Sequence, residues 1–421
     1  MAALIPVASW LALNAATGVL LTISIPRRIY AFPALLVPAT ISLKTLHHLS
    51  FCTGLPELWG LLTLGGLIHF SSLLYIKKWT FHNVQRSSNA PSANFTWLHW
   101  KHWTRLYKLA VNPRFVKIPY ESVIGNKVKS TAIHANFTAT RILRLLCKIA
   151  LHQTLNTLVI NDILGGIDIE DFTPPKAIIL RRLLNYSAST THSKDIAREI
   201  IVRIWFAATS IWTAIIVLDC IHAFTAVVFI YLLRTDTSDE WPDLFGSPWE
   251  AYTVGRFWSQ YVYTELRLLP SANPPCRLWH RIHLSGYSDY ATLLLPRALL
   301  FNTALKRMSM IFAIFLFSGL IHQITSLQLH PECIDFGDLK FFSLNAAAVC
   351  LEAAVMQAMF LWGRRGRSQT KAAGKYLLPS NDRHVLLRCI GYVWIVAFFA
   401  WASAKCYYQR AHCVSAHSAQ A

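Results

Sequence analysis

Apolar residues in this chain come in long blocks. Stretches at about 4–25, 29–50, 54–76, 142–164, 201–233, 308–326, 340–362 and 388–408 approach the roughly 20 residues that carry an α-helix across a hydrocarbon layer. They predict an all-α fold, a polytopic integral membrane helical bundle of about eight transmembrane helices. The block 201–233 exceeds one crossing and falls short of two with a turn, so it predicts a single long tilted helix. The block 142–164 is the least apolar, with Lys148, His152 and Asn156 inside it, and an interfacial or re-entrant placement also fits. The organisation that follows is N-terminal membrane helices over 1–76, a polar loop over 77–141, and a core over 142–421 with the remaining helices.

Composition sharpens this picture. Of the 421 residues 54% are hydrophobic and 14% are charged, against roughly a quarter charged in soluble proteins. The formal net charge of +19 would suggest nucleic acid in a soluble chain. Here the cations gather between apolar blocks. Glu121 alone interrupts the series from Lys77 and Lys78 to Arg144 and Lys148, and a second cluster runs from Arg364 to Arg388. That pattern marks cytosolic loops that also meet anionic lipid, and it excludes nucleic acid as the partner. The first apolar block has no basic residue before it and Arg27-Arg28 after it, which predicts an uncleaved first span. An even number of crossings must separate two loops on one side, and keeping 142–164 as a span satisfies this. The nine cysteines show no CxxC pair or metal-ligand spacing, so no metal is expected.

Chemistry-bearing residues concentrate in two places. In Ser318-Gly319-Leu320-Ile321-His322-Gln323, helical spacing puts Ser318, His322 and Ser326 on one stripe inside an apolar block. A histidine at that depth serves as a base toward an alcohol, or else packs as an interhelical hydrogen-bonding group; spacing leaves the two even. The second place is Asp243-Leu-Phe-Gly-Ser-Pro-Trp-Glu250. Ser247, Pro248 and Glu250 predict a helix start there, continuing through 251–269. Arg256, Gln260, Tyr263 and Arg267 then form one polar stripe. Its arginines suit the phosphates of a coenzyme A thioester or, equally, lipid headgroups. Asp219, His222 and Glu352 inside apolar blocks suggest a proton path, a substrate cavity, or structural pairs with one another or with Lys44. His330 and Asp335 match an HxxxxD spacing by coincidence, on the predicted lumenal side.

The order of these elements, FGSPWEAYTVGRFW followed some sixty residues later by intramembrane SGLIHQ, resembles the wax-synthase-like branch of the membrane-bound O-acyltransferases. More narrowly it resembles fungal acetyltransferases of terpenoid and meroterpenoid secondary metabolism. The resemblance is best over about 240–326. It implies that His322 is the catalytic base and that Phe257-Trp258 is the family's FW pair. With Gln260, Arg256 and Arg267, Trp258 would then contact the acyl donor. Where the family continues to Trp-His, this chain has Val262-Tyr263, and a tyrosine there can donate a hydrogen bond to an oxyanion. The implied reaction moves an acetyl group from acetyl-CoA, a co-substrate with no bound cofactor beside it, to a hydroxyl of a lipophilic alcohol. The implied location is the endoplasmic reticulum membrane. A wax-ester synthase, a membrane terpene cyclase using Asp219 and Glu352, and a transporter using Asp219, His222 and Glu352 are the alternatives.

Overall fold

The computed structural model describes residues 2–51, 54–80, 137–173, 176, 190–234, 238, 241, 243–262, 290–295, 303–369 and 380–418. Among them there is no strand, and the protein is an all-α polytopic membrane protein. Six described helices are long and apolar enough to cross a membrane: Leu4–Thr22, Leu55–Ile76, Ile196–Leu232, Met308–Leu329, Gly337–Met359 and Val385–His417. The expected blocks 29–50 and 142–164 are not in this set. The chain divides into two compact units, Met1–Thr157, Ser210–Leu244 and Leu269–Ile334 in the first, and Leu158–Thr209, Phe245–Leu268 and Asp335–Ala421 in the second.

The first unit shows why 29–50 is absent from this set: its helix is too short to qualify. Its helix α2 (Pro33–Lys44) has Pro33 in its first turn and Pro38 within it, and 3-10 turns flank it at Ile29–Ala31 and Leu46–Leu49. The chain must nevertheless double back there, because of Arg28. This guanidinium is fully buried and donates to the carbonyls of Ile23 (3.0 Å), Leu21 (3.3 Å), Leu74 (3.3 Å) and Trp79 (2.5 Å). Leu21 and Ile23 end α1 (Leu4–Thr22), whereas Leu74 lies in the π-helical turn Ser72–Ile76 that ends α3 (Leu55–Ser71). One cation thus satisfies the carbonyl ends of two helices, where the helix dipoles favour it. The helices α1 and α3 therefore run parallel, and 29–54 makes the return journey between them. Consistently, the Ser42 hydroxyl donates to the Pro6 carbonyl at 3.3 Å and shares a 3.0 Å hydrogen bond with Thr63. Twelve α-helical residues with flanking 3-10 turns extend about 30 Å, the thickness of the hydrocarbon layer.

Helix α4 (Phe137–Thr157, continued by a π-helical turn Leu158–Ile163) carries its charges along one face. Lys148 pairs with Asp219, Arg144 with Asp243 at 3.3 Å, and Arg141 with the His222 Nδ1 at 3.0 Å and the Trp241 carbonyl. Asp219 and His222 lie on α5 (Thr190–Val227), one continuous helix extended by the π-helical turn Val228–Leu232. As α4 advances from 141 to 148, its α5 partners retreat from 222 to 219, so the two helices are antiparallel. The expected pairing with Lys44 is corrected: Lys148 and Arg141 take those positions, being a helix turn or two apart on the neighbouring helix. A charge whose partner lies in the bundle need not face lipid, which is why hydropathy undercounts α4.

Helix α6 (Thr303–Leu329) packs antiparallel on α3. Leu64, Ile314 and Ile321 share a core cluster, and the Tyr290 hydroxyl, ahead of α6, donates to Ser71 near the end of α3 at 2.8 Å. Gly60 permits this approach, since a Cβ there would lie 2.5 Å from Thr325 Cγ2. Because α6 starts at the end where α3 finishes, an even number of crossings must separate them. With α5 as one crossing, the expected span 142–164 on α4 would be the other.

In the second unit Arg198 donates to Leu164 and Gly166 carbonyls and pairs with Asp171 at 2.8 Å. Burial alone would raise the Asp171 carboxyl, but Arg198, the Asp168 backbone and Lys176 hold it below its ordinary value. Phe172, Phe206 and Tyr408 pack as a three-ring cluster, the Tyr408 ring standing edge-on to both phenylalanines. Helix α7 (Gly337–Gln369) and helix α8 (Ser380–Ser418) are tied by Arg410, which pairs with Asp335 and, at 2.7 Å, with Asp338. Asp335 also accepts from the Gly337 N–H at 3.0 Å, so it is a structural anion at a helix start.

This topology is checked by glycosylation tags placed one at a time at the N-terminus and near residues 52, 90 and 185. Modification is expected at the N-terminus, 52 and 185, with 90 bare. A bare tag at 52 beside a modified N-terminus would mean that 29–54 does not cross. A bare tag at 185 would make α4 re-entrant.

Candidate active site

His322 lies in the first unit, on α6 in the second half of its course. It is half-buried, while Ser318, Gln323 and Thr325 beside it on the helix are buried. Thr325 is the residue pressed against Gly60, so the small glycine brings α3 close one turn beyond the histidine. The Ser318, His322, Ser326 stripe expected from spacing is continuous, because no break interrupts Thr303–Leu329. An imidazole held at that depth has the chemistry to accept a proton from a hydroxyl delivered through the apolar phase.

The Phe257-Trp258 segment lies in the second unit and differs from the sequence expectation in its start. Ser247 and Pro248 open only a 3-10 turn, Pro248–Glu250, and the Ser247 side chain caps nothing. The helix begins six residues later at Val254, where the Thr253 hydroxyl accepts from the Arg256 N–H at 3.1 Å. Glu250 is diverted from the capping box because it pairs with Arg256, whose Nε also donates to the Glu250 carbonyl at 2.9 Å. From Phe257 to Val262 the segment is π-helical, so the i, i+4 phase assumed for a stripe from Arg256 through 269 does not continue along it. The Gln260 side chain, Tyr263 and Arg267 lie outside the described residues.

The described part is seated deeply. Val254, Phe257 and Trp258 are buried, with Phe257 4.8 Å from the Phe399 ring and Trp258 5.8 Å from Phe342. Trp258 donates its indole N–H to Asn345 Oδ1 on α7 at 2.8 Å. The backbone N–H groups of Val254 and Gly255 donate to Glu352 Oε1 and Oε2 at 2.7 and 2.8 Å, and Trp394 Nε1 donates to Oε1 at 2.7 Å. On the outer side Arg256 lies 4.4 Å and Arg388 5.4 Å from the Tyr252 ring centre, two guanidinium groups on one aromatic ring. Sequence reasoning missed Asn345, Gly391 and Trp394, placed Arg388 only in a basic loop, and grouped Glu352 with Asp219 and His222 as a proton path, a substrate cavity or structural pairs. The available signal was the pairing of Asn345 with Glu352 at i, i+7, two polar residues on one face of an apolar helix.

Residues 276–344 match the membrane bound O-acyl transferase family, a stretch that contains α6 and His322. Named relatives are acetyltransferases and a related transferase. The acetyltransferase spyB of Aspergillus fumigatus is 28% identical over 182 residues, 42% of this chain and 27% of that protein. The acetyltransferase aurG of Calcarisporium arbuscula is 26% identical over 187 residues, covering 44% and 38% of the two chains. The O-Mevalon transferase macI of Penicillium terrestre is 27% identical over 175 residues, 38% of this chain and 33% of its own length. The chain thus spans between 27% and 38% of the length of these curated relatives. No solved structure matches. The chain resembles the membrane-bound O-acyltransferases and, within them, fungal acetyltransferases.

The seating of the segment is testable at Gly391, where a Cβ would stand 2.1 Å from the Tyr252 carbonyl oxygen. Gly391→Ala should lower the melting temperature of the detergent-solubilised protein, the overpacking costing about 1–3 kcal/mol. Gly66→Ala, where the nearest atom would be 3.6 Å away, should hold or raise it.

Proposed function

We propose that the protein is a membrane O-acyltransferase that moves an acetyl group from acetyl-CoA to a hydroxyl of a lipophilic secondary metabolite, a terpenoid or meroterpenoid alcohol. The observation that carries this reading is the O-acyltransferase family match over 276–344, with His322 inside it on an unbroken membrane helix. His322 removes the hydroxyl proton, the alkoxide attacks the thioester carbonyl, and the coenzyme A thiolate leaves. Gln260 or Tyr263 donates to the oxyanion. Arg256 and Arg267 meet phosphates of the donor, which requires that Arg256 exchange part of its half-exposed contact with Glu250. The acceptor enters from the lipid phase and the donor from the cytosol, with the endoplasmic reticulum as the membrane.

Structural partners for the other intramembrane groups support this reading over a transporter or a cyclase: Asp219 pairs with Lys148, His222 with Arg141, and Glu352 accepts three N–H groups.

Membranes carrying the protein, given labelled acetyl-CoA and a panel of terpenoid alcohols, should yield labelled ester. His322→Ala should lower the rate by about 10²–10⁴-fold, the range for removal of a general base, with expression and insertion unchanged. Full activity in that variant removes His322 from the mechanism. Arg256→Ala and Arg267→Ala should raise the KM for acetyl-CoA more than that for the alcohol, since a phosphate contact is shared by ground and transition states. An unchanged donor KM in both variants would reduce them to headgroup contacts.

A further inference from the structure

We infer that Glu352 is the positioning residue of the Phe257-Trp258 segment, a carboxylate kept inside a membrane helix to clamp that segment against α7 and α8. The inference rests on the acyl-transfer reading for its catalytic consequence and on geometry alone for the clamp.

A carboxylate in a membrane helix costs several kcal/mol unless it is compensated locally. Among the described residues that compensation contains no cation. Glu352 accepts from the Val254 and Gly255 backbone N–H groups at 2.7 and 2.8 Å and from the Trp394 indole at 2.7 Å. The two backbone donors are the first N–H groups of the Val254–Val262 helical segment, which have no partner within it and sit at its positive end. One carboxylate therefore joins three pieces of chain: the segment, α7 through its own backbone, and α8 through Trp394.

Two turns earlier on the same face of α7, Asn345 is fully buried. Its Oδ1 accepts from Trp258 while its Nδ2 is spent on the Phe341 carbonyl at 2.8 Å. The face thus offers two acceptors about 10 Å apart along the helix, and the segment supplies matching donors at its first turn and at its tryptophan. The fit is close at both ends. A Cβ on Gly255 would come 3.1 Å from Glu352 Oε2, and one on Gly391 would strike the Tyr252 carbonyl. With its start and its tryptophan both fixed, the segment has no freedom to rotate. The direction in which Arg256 and the residues after it leave the helix is then set by Glu352. That is preorganisation of the donor-binding residues, whose loss weakens donor binding and raises the KM for acetyl-CoA.

The clamp is tested by trypsin on membranes holding the full chain, following cleavage after Arg256 by mass spectrometry. In the parent this bond should be resistant. Glu352→Ala should be cleaved after Arg256 about tenfold faster or more, the least shift expected from losing hydrogen bonds to a charged acceptor, with cleavage after Arg141, at the start of α4, unchanged. Parental resistance in Glu352→Ala overturns the inference, and so does a parallel rise at Arg141, which would mean general loosening. Should Glu352→Ala fail to accumulate, Glu352→Gln and Trp394→Phe replace it. Each removes only part of the clamp, so intermediate cleavage after Arg256 is expected and parental resistance overturns the inference. In acetyl transfer Glu352→Ala should raise the KM for acetyl-CoA more than that for the alcohol, as Arg256→Ala should, and Glu352→Gln should recover part of the donor affinity. An unchanged KM for acetyl-CoA with an exposed Arg256 overturns the positioning role. A parent protein that transfers no acetyl group sinks the proposed function, while the trypsin result still decides the clamp.

Discussion

Hydrocarbon offers no hydrogen bonds, so every polar group carried into the bilayer must bring or find its partner inside the protein. The rest of this structure depends on how that demand is met. Arg28 meets it with four backbone carbonyls. Lys148 and Arg141 meet it through Asp219 and His222 of the neighbouring helix. Glu352 meets it through two backbone N–H groups and an indole. Each solution fixes the direction or position of an element: parallel α1 and α3, antiparallel α4 and α5, and the seated Phe257-Trp258 segment. Breaking one partner would strand a buried charge, which is why such pairs specify geometry even where their net stabilisation is small.

The same demand assigns the ionisable residues of the apolar runs to the architecture. Asp219, His222 and Glu352 all look suggestive as isolated letters. In the structure each is committed to a partner that an architectural role explains. His322 differs in setting: it stands on a helix brought close to α3 by Gly60 and Thr325, within the stretch that matches the O-acyltransferase family. The Phe257-Trp258 segment shows a division of its own. Its apolar side and its first N–H groups hold it in place, and its arginine remains partly exposed with Tyr252 and Arg388 beside it.

Much of this was legible beforehand, because bilayer crossing depends on the one-dimensional density of apolar residues. Six of the expected spans correspond to helices of sufficient length and hydropathy. The other two, 29–50 and 142–164, were visible as apolar blocks, and charge parity asked for the second. What parity could not supply was the device. Two prolines and flanking 3-10 turns shape α2, and cations on α4 are met from α5. The helix expected to open at Ser247 opens at Thr253 instead. A capping box is read from residues three apart, whereas Glu250 finds a stronger partner in the Arg256 guanidinium.

By itself the sequence determined the membrane class, the long helices, the placement of positive charge and the motif order that resembles an O-acyltransferase, since all of these are properties of composition and spacing. Only the tertiary structure decided which polar residue meets which. Asn345 and Trp258 lie 87 residues apart, Glu352 and Val254 98 apart, and Arg28 and Trp79 51 apart. No periodicity connects residues at such separations. Helices that pack side by side in three dimensions do, because a buried donor is stable only where an acceptor waits across the interface.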